Sequence, residues 1–110
     1  MSRNANTLGR AATTALDVHI KTHDGQVDNT SVTVSVGAHH EVRWWANGND
    51  GAKIVFTGNK LPFQERVFFV PAHGTVSTGE AICAPDPNVH YKYTVIGPAG
   101  ETDPEVIIDH

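Results

Sequence analysis

The sequence predicts an all-β fold, an antiparallel sandwich or barrel of about eight strands. Short segments in which apolar and polar residues alternate recur at a spacing of roughly ten residues. Clusters of Gly, Pro, Asn and Asp, which favour turns, separate these segments. In addition, no segment has the i, i+3, i+4 apolar spacing of an amphipathic helix.

Four alternating segments in the first half of the chain predict four strands, each with one face in the core. The first ends at the turn His23-Asp24-Gly25. The third is followed by Asn47-Gly48-Asn49-Asp50-Gly51, a strong turn signal because Asn and Gly tolerate positive φ. The residues predicted to face the core are Leu16, Val18 and Ile20; Val32, Val34 and Val36; Val42, Trp44 and Ala46; and Ala52, Ile54 and Phe56.

The second half of the chain is less regular. The segment Arg66–Val70 is apolar on both faces, and we assign Val67 and Phe69 to the core and Phe68 and Val70 to the opposite face. The remaining predictions are a strand from Thr75 to Ile82, a rigid proline loop from Ala84 to Asn88, a strand with Tyr91, Tyr93 and Val95 on one side, a turn at Gly97–Gly100, and a last strand around Val106–Ile108.

The length of 110 residues predicts one domain, residues 14–110, behind a polar, flexible tail, residues 1–13. The net charge is −4, and residues 13–110 hold six basic against twelve acidic side chains, which argues against binding to nucleic acid or to an anionic membrane. Cys83 is the single cysteine, so there is no intrachain disulfide. No signal-peptide h-region or long apolar run occurs, and we expect a cytoplasmic protein, or a periplasmic one if a leader has been removed.

The order of these features resembles that of the cupredoxins. The resemblance rests on Val32–Gly37, on Val42-Arg43-Trp44, on Tyr91–Val95 and on the β-branched strand Val106–Ile108. It implies a Greek-key β-sandwich. An immunoglobulin-like sandwich is the alternative, although the Cys…Trp…Cys pattern of antibody domains is absent.

A blue-copper centre uses two His, one Cys and a weak axial ligand, commonly Met. In the cupredoxin pattern the Cys position is occupied here by Val95, and the following loop, residues 96–101, contains neither His nor Met. Residues 47–56 contain no His either. The resemblance therefore implies the fold without the electron-transfer centre, and we expect no cofactor.

Seven histidines keep open an alternative in which copper or zinc binds a rearranged set, His73, Cys83 and His90. Cys83 and His90 flank the proline loop, but two ligands fall short of the three or four that these metals usually take. As a nucleophile–base pair the same two residues lack the positively charged neighbours that activate a catalytic thiol. We expect no enzymatic activity.

Apolar side chains outside the predicted core are the stronger functional indication. Trp45 and Phe68 are predicted on outward faces, and Phe63 lies in an irregular loop. Such side chains are either covered by the tail or a long loop, or they form an interface. We predict a non-catalytic, metal-free binding or structural module that associates with itself or with another protein through Trp45, Phe63 and Phe68.

Overall fold

A computed structural model describes residues 13–21 and 24–110, and over these residues the chain forms strands and no helix. The all-β prediction is confirmed. The predicted tail falls almost entirely outside the described residues, as does His23 of the first predicted turn. The nine strands are β1 (Thr14–Ile20), β2 (Ser31–Ser35), β3 (His40–Ala46), β4 (Ala52–Phe56), β5 (Val67–Val70), β6 (Thr75–Glu80), β7 (Asp86–Gly97), β8 (Gly100–Thr102) and β9 (Glu105–Asp109).

The strands form two sheets that make a β-sandwich. A three-stranded sheet has the order β1-β3-β6, and a six-stranded sheet has the order β2-β9-β7-β4-β5, with β8 paired to β7. The pairs β1–β3 and β2–β9 are parallel, so the prediction of a purely antiparallel sandwich is wrong in this detail. The reason is that β2 lies in the other sheet, which leaves β1 and β3 as neighbours that run in the same direction.

The core lies between the sheets and is centred on Trp44. Its indole ring centroid lies 5.2 Å from that of Phe68 and 5.4 Å from that of Tyr93, in tilted and edge-on geometries that aromatic pairs favour. The indole Nε1–H donates to the Tyr93 hydroxyl over 3.3 Å, so neither polar group is unpaired. Burial raises the pKa of Tyr93 to about 12.

The side chains of β5 face the opposite sides of the sheet from those predicted. Phe68 is 6% exposed and Val70 is buried, whereas Phe69 is 69% exposed. The register is fixed at Arg66, whose carbonyl accepts from the Phe56 N–H over 2.9 Å. The Arg66 guanidinium also donates to the carbonyl of Phe56 over 2.7 Å, which holds the start of β5 against the end of β4. The assignment of Phe69 to the core and Phe68 to the surface is therefore wrong.

Phe63 also belongs to the core, although it lies outside the strands. Its side chain is 0% exposed, and its ring packs edge-on against Phe56 with 5.8 Å between centroids. The irregular loop that carries it therefore closes one end of the sandwich. The prediction that Phe63 lies at an interface is wrong because the ring has no accessible surface.

A bulge in β6 shortens the exposed edge of the smaller sheet. Between the pairs Glu41–Glu80 and Arg43–Ser77, β6 contains one more residue than β3. Gly79 takes φ +76°, a backbone conformation that favours glycine, and the Thr78 hydroxyl accepts from the Val42 N–H over 3.0 Å. The hydroxyl thus replaces a backbone acceptor where the ladder is interrupted, which explains why Thr78 is buried.

Candidate functional site

The largest exposed apolar side chain among the described residues is Phe69, and it lies on the outer face of the six-stranded sheet. Lys53 of β4 is paired with Phe69 on one side and with Ile96 of β7 on the other. All three side chains therefore lie in one row across the sheet. Phe69 and Ile96 are both exposed, at 69% and 36%, so this row exposes apolar surface to solvent.

A shallow groove of about 620 Å³ continues this row toward the end of the sandwich. Pro71 follows β5 and Pro98 follows β7, and both line the groove with Phe69 and Ile96. The Lys53 Nζ lies 5.9 Å from the centroid of the Phe69 ring, within reach of a cation–π interaction. We call this set of residues the β5 surface: Lys53, Phe69, Pro71, Ile96 and Pro98.

The β5 surface includes a strand edge. Among the described strands, β5 pairs with β4 alone. Because the Arg66 carbonyl accepts from Phe56, the alternation of an antiparallel ladder turns the backbone groups of Phe68 and Val70 toward β4. The N–H and C=O groups of Val67 and Phe69 then point away from β4. An edge of this kind is a template for pairing with another strand.

Trp45 lies on the other sheet, and neighbouring side chains cover part of it. Its Nε1–H donates to Asp17 Oδ1 over 2.8 Å, and the His19 ring stacks on the indole with 5.7 Å between centroids. The Arg43 guanidinium lies 5.0 Å from the centroid of the indole and donates to Asp17 through Nε over 2.7 Å. The bonds from Arg43 and Trp45 lower the pKa of Asp17. Trp45 is therefore half-buried in a cluster whose polar groups already have partners.

The structure does not bring the alternative metal ligands together. His73 lies beside the loop 47–51, with its ring nitrogen Nε2 2.7 Å from Asn49 Oδ1. His90 lies beyond the opposite end of β4, with its Nδ1 2.9 Å from Glu105 Oε2. Among residues 13–21 and 24–110, no three His, Cys, Asp or Glu side chains are grouped closely enough to hold an ion.

Cys83 contacts Tyr91 rather than either histidine. A side-chain hydrogen bond in which the Tyr91 hydroxyl donates to Cys83, together with burial, raises the pKa of Tyr91 to about 12. The half-buried thiol thus has a neutral partner. The other position that the cupredoxin resemblance singles out is Val95, which is fully buried and paired with Ile54 of β4. A hydrocarbon side chain packed in the core therefore occupies that position.

The residues of the β5 surface differ from those predicted from the sequence. Ile96 could have been found, because strict alternation from Tyr91 places it on the outer face. Phe69 could not, because both faces of Arg66–Val70 are apolar and periodicity gives no preference for either orientation.

Compared with known proteins, the chain matches no family model, no curated protein and no solved structure. No helix in the described part of the chain is long and apolar enough to cross a membrane.

Proposed function

We propose that this protein is a non-catalytic, metal-free binding module that self-associates through the β5 surface. The observation that carries the proposal is the exposure of Phe69. The chain has four phenylalanines, and the other three, Phe56, Phe63 and Phe68, are buried. Of the four, Phe69 alone leaves its ring in solvent, on a strand that pairs on one side only with the other described strands. Single exposed apolar residues are common, but an exposed ring beside an apolar groove and an unpaired edge favours an interface.

The size of the surface sets the expected strength of the association. Full burial of a Phe side chain is worth roughly 1.5–3 kcal/mol. A specific, stable interface buries about 1,600 Å², more than a row of three side chains and a shallow groove can supply. We therefore expect a reversible dimer with a Kd between about 10 μM and 1 mM rather than an obligate one.

The proposed architecture is that of a cupredoxin-like, Greek-key sandwich whose copper site has been replaced by packing. The burial of Val95 against Ile54 supports this proposal, because an apolar residue at the thiolate position contributes to the core and offers no metal ligand. The proposal also accounts for the separation of His73 from Cys83 and His90 at opposite ends of the sandwich.

Sedimentation equilibrium of the full chain across a wide concentration range tests the function. The wild-type protein is expected to show a monomer–dimer equilibrium, and Phe69→Ser is expected to weaken it by roughly tenfold or more. Ile82→Ser is the matched control, because Ile82 is also well exposed, at 58%, but lies outside the β5 surface. A wild-type protein that stays monomeric, or an equal effect of both substitutions, would overturn the proposal.

A further inference from the structure

We infer that the partner at the β5 surface is a second copy of this chain, added edge to edge so that β5 of one copy pairs antiparallel with β5 of the other. This inference rests on the proposed function and adds the geometry of the association. It joins the two six-stranded sheets into one continuous sheet about a two-fold axis. Such an interface is isologous, with the same groups contributed by both copies.

The backbone of β5 is complementary to itself. Val67 and Phe69 each direct one N–H and one C=O away from β4, which gives two donors and two acceptors along the free edge. In an antiparallel pair, two residues directly opposite each other exchange both of their hydrogen bonds. Two copies of β5 can therefore satisfy each other completely, without any other segment.

One register uses all of these groups within the bounds of β5, Val67–Val70. With Val67 of one copy opposite Phe69 of the other, four intermolecular backbone hydrogen bonds form and the two-fold axis passes beside Phe68. Shifting the strands so that the two Phe69 residues face each other places Val67 opposite Pro71, which has no N–H to donate. The first register also packs each Phe69 ring beside Val67 of the other copy on the outer face, which covers apolar surface.

The other edges of the two sheets are less suited to pairing. The bulge at Gly79 interrupts β6. The end of β1 is already covered, because Ile20 forms a bridge with Val27 and the Asp28 N–H donates to the His19 carbonyl. Strand β2 alternates Ser and Thr with its buried valines, so its outer face offers no apolar contact. Within residues 13–21 and 24–110, β5 is the edge strand that combines backbone groups without a partner with an exposed aromatic ring.

Amide hydrogen exchange followed by NMR at low and high protein concentration tests the inference residue by residue. The amides of Val67 and Phe69 are expected to exchange roughly tenfold more slowly, or slower still, at high concentration, because they then exchange only from the dissociated fraction. The amides of Phe68 and Val70 bond to β4 in both states and serve as internal controls. A dimer in sedimentation without this added protection would overturn strand addition while leaving the proposed function standing, and a monomer at all concentrations would overturn both.

Two substitutions at Val67 provide a second measurement that keeps Phe69 intact. Val67→Ala retains the outward N–H, whereas Val67→Pro removes it without removing a bond to β4, a position where an edge strand accepts proline. We expect the proline variant to dimerise about tenfold more weakly than the alanine variant in sedimentation, since two intermolecular hydrogen bonds per dimer are lost. Equal dimerisation of the two variants, with both shown to be folded by circular dichroism, would overturn the pairing.

Discussion

Trp45 and Phe69 both carry large aromatic rings on outer faces of the sandwich, but they differ in what surrounds them. Trp45 is contacted by Asp17, His19 and Arg43, through a hydrogen bond, a stacked ring and a guanidinium. Phe69 has the Lys53 ammonium near its ring and is otherwise open, at 69% exposure. The two outward aromatic residues therefore differ in how far the protein itself covers the ring.

The position of each strand in its sheet explains the difference. Trp45 lies on β3, the central strand of its sheet, and has a cross-strand neighbour on each side, His19 and Thr75. Phe69 lies on β5, which pairs with β4 alone among the described strands, so its one cross-strand neighbour within that part of the chain is Lys53. A central strand supplies partners for a large side chain, whereas an edge strand leaves one flank open.

Replacing Phe68 or Phe69 by Ala should give the largest difference in the free energy of unfolding between two neighbouring positions. Phe68→Ala removes a ring from the core beside Trp44 and should lower the free energy of unfolding by about 3–5 kcal/mol. Phe69→Ala should change it by about 0.5 kcal/mol or less, because the ring is in solvent. Urea unfolding of both variants at low protein concentration measures the difference. Equal losses would mean that the orientation of β5 described above is wrong.

Removing the half-buried indole of Trp45 tests whether this residue contributes to folding stability and not to dimerisation. Trp45→Ala should lower the free energy of unfolding by about 1–2 kcal/mol through the loss of the stacking and cation–π contacts. It should leave dimerisation unchanged, because these contacts lie on the smaller sheet. Trp45→Phe is the control, since it keeps an aromatic ring and should lose less. A variant that unfolds normally but no longer dimerises would assign the interface to Trp45 instead.

Removing the charge of Asp17, which bonds to Arg43 and Trp45, should have the smallest effect on the stability of the fold. The pKa of Asp17 is lowered by its bonds from Arg43 and Trp45, so its carboxylate contributes stability above the unfolded-state pKa, and this contribution disappears as the pH falls through the folded-state value. Because both partners are more than one-third exposed, solvent screens the pair, and Asp17→Asn should cost about 1 kcal/mol or less at neutral pH.

Asp17→Asn keeps an oxygen that can accept a hydrogen bond from the Trp45 indole, so the variant measures the contribution of the Asp17 charge to stability. Thermal unfolding of the variant and the wild type at neutral pH and near pH 3 is the measurement. The difference in stability should shrink at the acidic pH. A difference that grows there would contradict the assigned direction of the pKa shift.

The sequence predicts most of the strands because one face of each is apolar. Val18, Val34, Trp44 and Ile54 are all buried as their alternation indicates. The sequence pattern could not predict that β1 and β3 run parallel. Alternation indicates which face of a strand is buried and carries no information about strand direction. The prediction of a rigid loop from Ala84 to Asn88 is also wrong in part. Strand β7 begins at Asp86 and accommodates the residues before His90 in a bulge opposite β9.

The candidate site was harder to predict than the fold. Trp45 is on an outer face as predicted, but its neighbours on β1, which decide its exposure, become adjacent only through long-range pairing. In β5 the choice between Phe68 and Phe69 depends on Arg66, whose guanidinium binds the carbonyls of Phe56 and Gly58. A one-residue change of register exchanges the two rings, and a segment that is apolar on both faces does not reveal it.

A dilution series of two-dimensional ¹H–¹⁵N NMR spectra is the sharpest test of dimerisation through the β5 surface, because it observes β5 and the Trp45 cluster in one sample. We expect concentration-dependent shifts at the amides of β5 and around Lys53 and Ile96, while the indole signal of Trp45, held by Asp17, stays in place. Spectra that do not change with concentration, or shifts centred on Trp45 with β5 unaffected, would rule out dimerisation through the β5 surface.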